Sequence, residues 1–425
     1  MLLAACHKDD HTEQTKEVAK KNDRRTVLVY VAGDNNLTSY FASDLEQMMQ
    51  GMKGVSSDNK LILFVDQQGK KPFFMQVENG DTLRLKTMPA ELKSSDPETL
   101  YEALKYAAVN FPAESYGLVL WGHADGWITR GSDAAAHAAG RGAAPKRAYG
   151  IDETGRKTWM NIPGMAEALS RRLSDSQELA KLRFIVADCC CFMCVENVYE
   201  LRNCADCIIG SPAEIPGEGA PYHTLVPAMF GRQDDVYSQI VEAYYAQESQ
   251  GYKVPLTAVL TSKLDDLANA TAATLAEMAT AIDADSDGCR YPDVDSLIFY
   301  YDHTQFDMQD FMLRYAPAEQ YAEWKRAYDA AVPCHKFAEV WMANHVKHSD
   351  SEGRVFAEFK PTEERMGGLG MFVPQRDSDA AKWDNQQYFY KVYYLSNLDM
   401  SMSRMNSNIK GMQWYEAARL ADLGW

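Results

Sequence analysis

An open α/β sheet, mostly parallel and covered by helices on both faces, is the fold class this sequence predicts. Short, continuously apolar runs recur between residues 26 and 260, which is how strands buried on both faces read. Segments with the apolar spacing of amphipathic helices lie between several of those runs. Two runs also end directly in chemistry-bearing segments, one holding His123 and the other Cys190, at the carboxyl ends where open α/β sheets form their functional crevice.

In chain order, strands are expected at 26–32, 61–66, 116–121, 182–187, 205–210 and 255–260, and helices at 39–52, 97–110 and 161–174. Residues 73–77 and 82–86 read as a small hairpin inserted beside the sheet. From about residue 265 the chain turns to helices with aromatic clusters, and 368–374 reads as one more buried strand. At 425 residues the chain exceeds a single core. The expected division is a flexible tether at 1–24, a catalytic α/β domain at 25–264 and a smaller C-terminal α/β extension at 265–425. Trp383, Tyr388, Tyr390, Tyr394, Trp414 and Tyr415 read as helical core packing in preference to a carbohydrate platform.

With 46% hydrophobic and 24% charged residues the composition is globular. A formal net charge of -17 argues against a nucleic-acid or anionic-membrane partner, since both need a basic footprint. No apolar run approaches the roughly 18 residues of a membrane span. The acidity suits a basic substrate, and a solvated acidic surface gives the same sum.

His123 and Cys190 are far apart in sequence, yet adjacent strand ends would bring imidazole and thiol together. The segment Trp121-Gly-His-Ala-Asp-Gly-Trp127 resembles the histidine motif of the clostripain family of cysteine peptidases. Asp188-Cys-Cys-Cys-Phe-Met-Cys-Val-Glu-Asn-Val-Tyr-Glu-Leu201 resembles its nucleophile motif. Further matches are Val27-Leu-Val-Tyr-Val-Ala-Gly-Asp-Asn-Asn-Leu37, Asp96-Pro-Glu-Thr-Leu100, Ser211-Pro-Ala-Glu214 and Gly368-Leu-Gly-Met-Phe-Val-Pro374, so the similarity covers most of the chain.

The resemblance implies a caspase-like α/β/α sandwich, shared with gingipains and legumains, and cleavage after Arg or Lys. It implies Cys190 as nucleophile at a strand-to-helix junction, where the helix N-terminus would favour the thiolate. His123 would act as general acid and base, and the backbone N–H groups of Ala124 and Cys190 would receive the oxyanion. The family's usual glycine after the histidine is Ala124 here, which keeps the N–H donor, and the usual alanine before the nucleophile is Cys189. Asp188 before Cys190 and Glu196 after it set the register; Cys189 and Cys191 remain the alternatives. Asp188 is implied in the primary specificity pocket, where a carboxylate accepts two bonds from a guanidinium, with helix N-cap as its other reading. Glu214 and Glu218 are further candidates for that pocket.

Leu3-Ala4-Ala5-Cys6 resembles the lipobox of bacterial lipoproteins, so Cys6 is the expected lipidation site of an exported, cell-envelope protein. Residues 7–25, almost devoid of large apolar side chains, suit a tether. The low-complexity loop at 131–148 follows the histidine motif and carries Arg141, Lys146 and Arg147, the expected self-processing positions.

The expected partners are protein or peptide substrates with Arg or Lys at the cleavage site, with no nucleic acid, membrane contact only through the lipid anchor, and a monomeric chain. No cofactor is expected. Calcium is the minor alternative, because it is required by some clostripain relatives and because residues 283–288 begin like an EF-hand loop, although Val294 stands where a glutamate should. Zinc is the rival from the pairs Cys191/Cys194 and Cys204/Cys207, disfavoured because the first lies on an expected helix and the second enters a strand. The other class of function is a lipid-anchored, catalytically inactive binding protein on the same fold.

Overall fold

All nine residues of β1 (Arg25–Gly33) are buried, because β1 is an interior strand of a sheet covered on both faces. A computed structural model describes residues 24–128, 149–155, 157–175, 181–231, 235–246, 253–294, 297–301, 304–339, 341–342, 348–349, 355–356, 362–379 and 402–425. Helix α1 (Phe41–Gly51) leads into β2 (Lys60–Gln67), β3 (Lys70–Glu78) and β4 (Asp81–Thr87). Helix α2 (Pro97–Asn110) starts where the sequence places it: Asp96 Oδ1 accepts the Glu98 N–H at 2.9 Å, and Pro97 opens the first turn. After β5 (Ser115–Trp121), the pair β6 (Tyr149–Asp152) and β7 (Thr158–Met160) forms a separate hairpin, followed by α3 (Ile162–Asp175). Then come β8 (Phe184–Asp188), α4 (Val195–Glu200), β9 (Cys207–Gly210), α5 (Tyr222–Met229), α6 (Val236–Tyr245), β10 (Leu256–Leu260) and α7 (Leu264–Met278).

The remaining elements are β11 (Phe299–Tyr301), β12 (Gln305–Asp307), α8 (Met308–Tyr315), α9 (Ala318–Ala331), β13 (Cys334–Lys336), β14 (His348–Ser349), β15 (Val355–Phe356), β16 (Gly370–Met371), α10 (Met402–Asn408) and α11 (Gln413–Ala417). Among the described residues the central sheet has nine strands in the order β13-β10-β9-β8-β5-β1-β2-β3-β4. Its middle, β2-β1-β5-β8-β9, is parallel, and antiparallel strands extend it at both edges. The hairpin expected beside the sheet is part of it, since β3 pairs along β2 and β4 forms the edge.

Alternate residues of β1 feed two cores. Val27, Val29 and Val31 pack with Phe41 and Met48 of α1 and with residues of α5 and α6. Leu28, Tyr30 and Ala32 pack on the other face with α2 and α3. Each such aliphatic side chain contributes roughly 1.5–3 kcal/mol by leaving water. The second core runs on without interruption into α7, α8 and α9 and includes Trp414 and Tyr415, so these two aromatics are interior packing; the other four lie outside the described residues.

The strand expected at 368–374 is shorter than its apolar run. Only Gly370–Met371 is strand, and it pairs with β12 in a three-stranded sheet apart from the central one. The rest of the run is buried as irregular chain, its backbone satisfied in part by side chains: Phe372 N–H donates to Glu196 Oε1 at 2.8 Å.

Candidate active site

The parallel register of β5 on β8 sets Trp121 opposite Asp188. His123 and Cys190 each stand two residues past that pair, so equivalent positions on adjacent strand ends carry the imidazole and the thiol. The two loops touch further on: a Cβ at Gly126, whose φ is +71°, would lie 2.5 Å from Gln305 Nε2 and 3.2 Å from Cys191 O. Glycine is required there for both conformation and space.

Cys190 is partly exposed, whereas Cys189, Cys191 and Cys194 are fully buried. Burial pushes the thiols of Cys189 and Cys194 far above the ordinary range, which keeps both protonated. The Sγ of Cys190 accepts the backbone N–H of Ile215 at 3.4 Å and donates to Ile215 O at 3.7 Å, so both bonds hold the sulfur against the 215 backbone. The His123 ring meets Asn36 on the loop after β1, with Nε2 2.7 Å from Asn36 Oδ1. An amide oxygen only accepts, so Nε2 is the protonated nitrogen in this arrangement.

The helix expected to start at Cys190 starts later. Cys191 has a left-handed backbone, φ +57°, and the turn is pinned by Cys191 N–H to Ala213 O at 2.9 Å and Met193 N–H to Ser211 O at 3.0 Å. Gln305 donates to Cys191 O at 2.7 Å, and Gly370 N–H to Met193 O at 2.9 Å. Cys194 is the N-cap and α4 begins at Val195, so the thiol sits on a tight turn and not at a helix N-terminus. Residues 305 and 370, remote in sequence, thus buttress the nucleophile turn.

Asp188 does not cap that helix either. Its carboxylate is 3% exposed and accepts the hydroxyls of Tyr222 at 2.6 Å and Tyr244 at 2.7 Å, plus the Ala220 N–H. Desolvation nevertheless holds its pKa above the usual carboxylate range. A second buried carboxylate, Asp44 of α1, accepts Trp121 Nε1–H at 2.8 Å. Burial first, and then the nearby Asp188 charge, push Asp44 up to about 8. Exposed Glu218 adds to the same acidic field. Among the described residues no ion pair reaches Asp188 or Asp44. Glu214 is half-buried, one residue before the Ile215 amide that meets the thiol.

Ala124 is buried without a positive φ, so its backbone makes no demand for glycine. Its bridge to Tyr149 is closed by Gly150 N–H donating to His123 O at 2.9 Å. Cys6, Arg141, Lys146 and Arg147 lie outside the described residues. The two cysteine pairs proposed as a rival zinc site do not converge, because Cys204 and Cys207 face opposite sides of the sheet. The EF-hand-like stretch is a polar turn: Asp285 pairs with Arg376 at 2.6 Å, and Asp287 accepts the Cys289 N–H and the Tyr291 hydroxyl. Sequence reasoning missed Asn36, Ile215, Asp44, Tyr222 and Tyr244. Of these only Asn36 had a signal, as a polar residue just beyond a strand end.

A parallel sheet with helices on both faces, carrying a thiol and an imidazole at neighbouring strand ends, defines the caspase-like class of cysteine peptidases. The model of the clostripain family matches residues 29–403, and the chain belongs to that family of hydrolases. Clostripain of Hathewaya histolytica is 26% identical over 147 residues, a match spanning 28% of this chain and 28% of that protein. A secreted C11 cysteine protease from Bacteroides thetaiotaomicron, solved with an irreversible peptide inhibitor, is 26% identical with a TM-score of 0.70, over 93% of this chain and 98% of its own. An inactive zymogen C11 protease from Parabacteroides distasonis is 25% identical with a TM-score of 0.70, over 94% and 99%. Among the described residues no helix is long and apolar enough to cross a membrane.

Proposed function

We propose that this chain is an endopeptidase that cleaves after Arg or Lys through a Cys190/His123 dyad. The observation that carries the specificity is the buried Asp188 carboxylate, two residues before the thiol, without a cationic partner among the described residues and with the protonated Asp44 near it. A substrate guanidinium or ammonium supplies the missing charge. The Cys190 thiolate attacks the scissile carbonyl carbon, and the resulting oxyanion is received by the N–H groups of Ala124 and Cys190. The His123 imidazolium protonates the leaving amine as the C–N bond breaks, and the imidazole so formed deprotonates the water that hydrolyses the acyl-enzyme, restoring the thiolate and the imidazolium. Asn36 orients the ring by holding Nε2. Cleavage of a peptide library by purified protein tests this reading: the expected cuts follow Arg and Lys, and cuts after neutral residues would overturn it.

Processing in the 131–148 loop belongs to the same proposal. Arg141, Lys146 and Arg147 match the enzyme's own specificity, and one structural relative was solved as an inactive zymogen. Cleavage is expected to give two fragments that stay together, because β5 and β8 flank the loop and pair directly. Denaturing gels should show two bands and native gels one; a Cys190→Ala protein cut equally fast in isolation would exclude self-processing.

Cys6 is proposed as a lipid anchor holding an exported, monomeric enzyme at the cell envelope. A single acyl chain binds membranes only marginally, so stable anchoring needs more than one. Mass spectrometry of protein from its native cell should find an acylated Cys6, and Cys6→Ser should release the enzyme into the soluble fraction.

A further inference from the structure

Both oxygens of the Asp188 carboxylate are already engaged. The Tyr244 hydroxyl donates to Oδ1 at 2.7 Å and the Tyr222 hydroxyl to Oδ2 at 2.6 Å, and the Ala220 N–H is a third donor to the same group. Burial first, and then the Asp188 charge, hold both phenols well above their ordinary pKa, so each keeps its proton and meets the carboxylate as a donor. Gly219 packs against the same two oxygens: its φ is +61°, and a Cβ there would lie 3.0 Å from Oδ2 and 3.3 Å from Oδ1. An ionised carboxylate offers about four lone-pair sites, so these donors leave about one for a ligand.

We propose that this pocket selects lysine over arginine at the cleavage position, with Tyr222 and Tyr244 as the discriminating residues; the inference rests on the peptidase reading above. Arginine would win at an open carboxylate, because its planar fork takes both oxygens at once and it is the more weakly hydrated cation. Here the fork meets oxygens whose lone pairs already point at tyrosine hydroxyls. It keeps one of its two parallel bonds at most, and the other N–H groups of a rigid plane are buried without that acceptor, which is costly. An ammonium is a compact charge with rotatable donors. One donor takes the remaining lone pair of Asp188, and the tyrosine oxygens, whose protons are committed to the carboxylate, can accept the others.

The test is kcat/KM of the purified enzyme on peptides that differ only at the cleavage position, which is Lys, Arg or norleucine; norleucine carries an unbranched stem and no charge. Lys should exceed Arg by about tenfold, with norleucine far below both. Arg equal to or better than Lys would overturn the inference and leave the peptidase reading standing, whereas norleucine cleaved as well as Lys would overturn both. Tyr222→Phe and Tyr244→Phe each return a lone pair to the carboxylate, so each should shift the Lys-to-Arg ratio toward Arg by about fivefold or more. Tyrosines that only supported the fold would lower both substrates alike, and a ratio unchanged in both variants would overturn their role. The ratio in the parent enzyme decides the selection whether or not the variants fold.

Discussion

Cys190→Ala is expected to abolish hydrolysis of Arg and Lys peptides, with a loss of about a million-fold, the scale seen when a nucleophile that acts as a unit with its base is removed. His123→Ala should lose nearly as much, and the double variant little more. Exposure makes the register testable: Cys190 is the partly exposed thiol of the turn, while Cys189 and Cys191 are fully buried. Cys189→Ala should therefore keep most activity, since burial keeps that thiol protonated. The folds should survive, because truncating a partly exposed thiol leaves no large cavity. Alkylation offers an independent reading, with one fast-reacting cysteine that disappears in Cys190→Ala. Full turnover in that variant would remove Cys190 from the mechanism.

The strands that position this dyad were readable because their apolar runs are short, continuous and bounded, and the observed strands fall within a residue or two of them. Direction was not readable. β10 is antiparallel to β9, and β13 joins the sheet from far along the chain, since an apolar run carries no sign of which way it will pair. The turn at Cys190 misled for a related reason. Phe192, Val195, Val198 and Tyr199 have helical spacing, but the left-handed Cys191 and its bonds to the 211–213 segment hold the chain out of a helix until Val195. Asp44, Tyr222 and Tyr244 reach the site only through tertiary packing, which no local pattern records.

Asp188→Asn should reduce kcat/KM for Arg substrates by on the order of 100-fold or more, because a desolvated guanidinium loses its ionic partner. Asparagine is nearly isosteric, and its carbonyl can still accept one of the two tyrosine hydroxyls. The other hydroxyl then faces an amide donor, so some stability is lost, and circular dichroism should accompany the kinetics. The discriminating readout is a comparison of substrates: those with a neutral residue at the cleavage position should change far less than those with Arg. Asp44 sharpens the test. It is bonded to Trp121, and the Asp188 charge helps keep it protonated. Removing that charge makes Asp44 easier to ionise, so Asp188→Asn should retain a residual preference for cations that Asp44→Asn alone scarcely affects and the double variant loses. Equal losses for Arg and neutral substrates in Asp188→Asn would show that the carboxylate supports the fold and selects nothing.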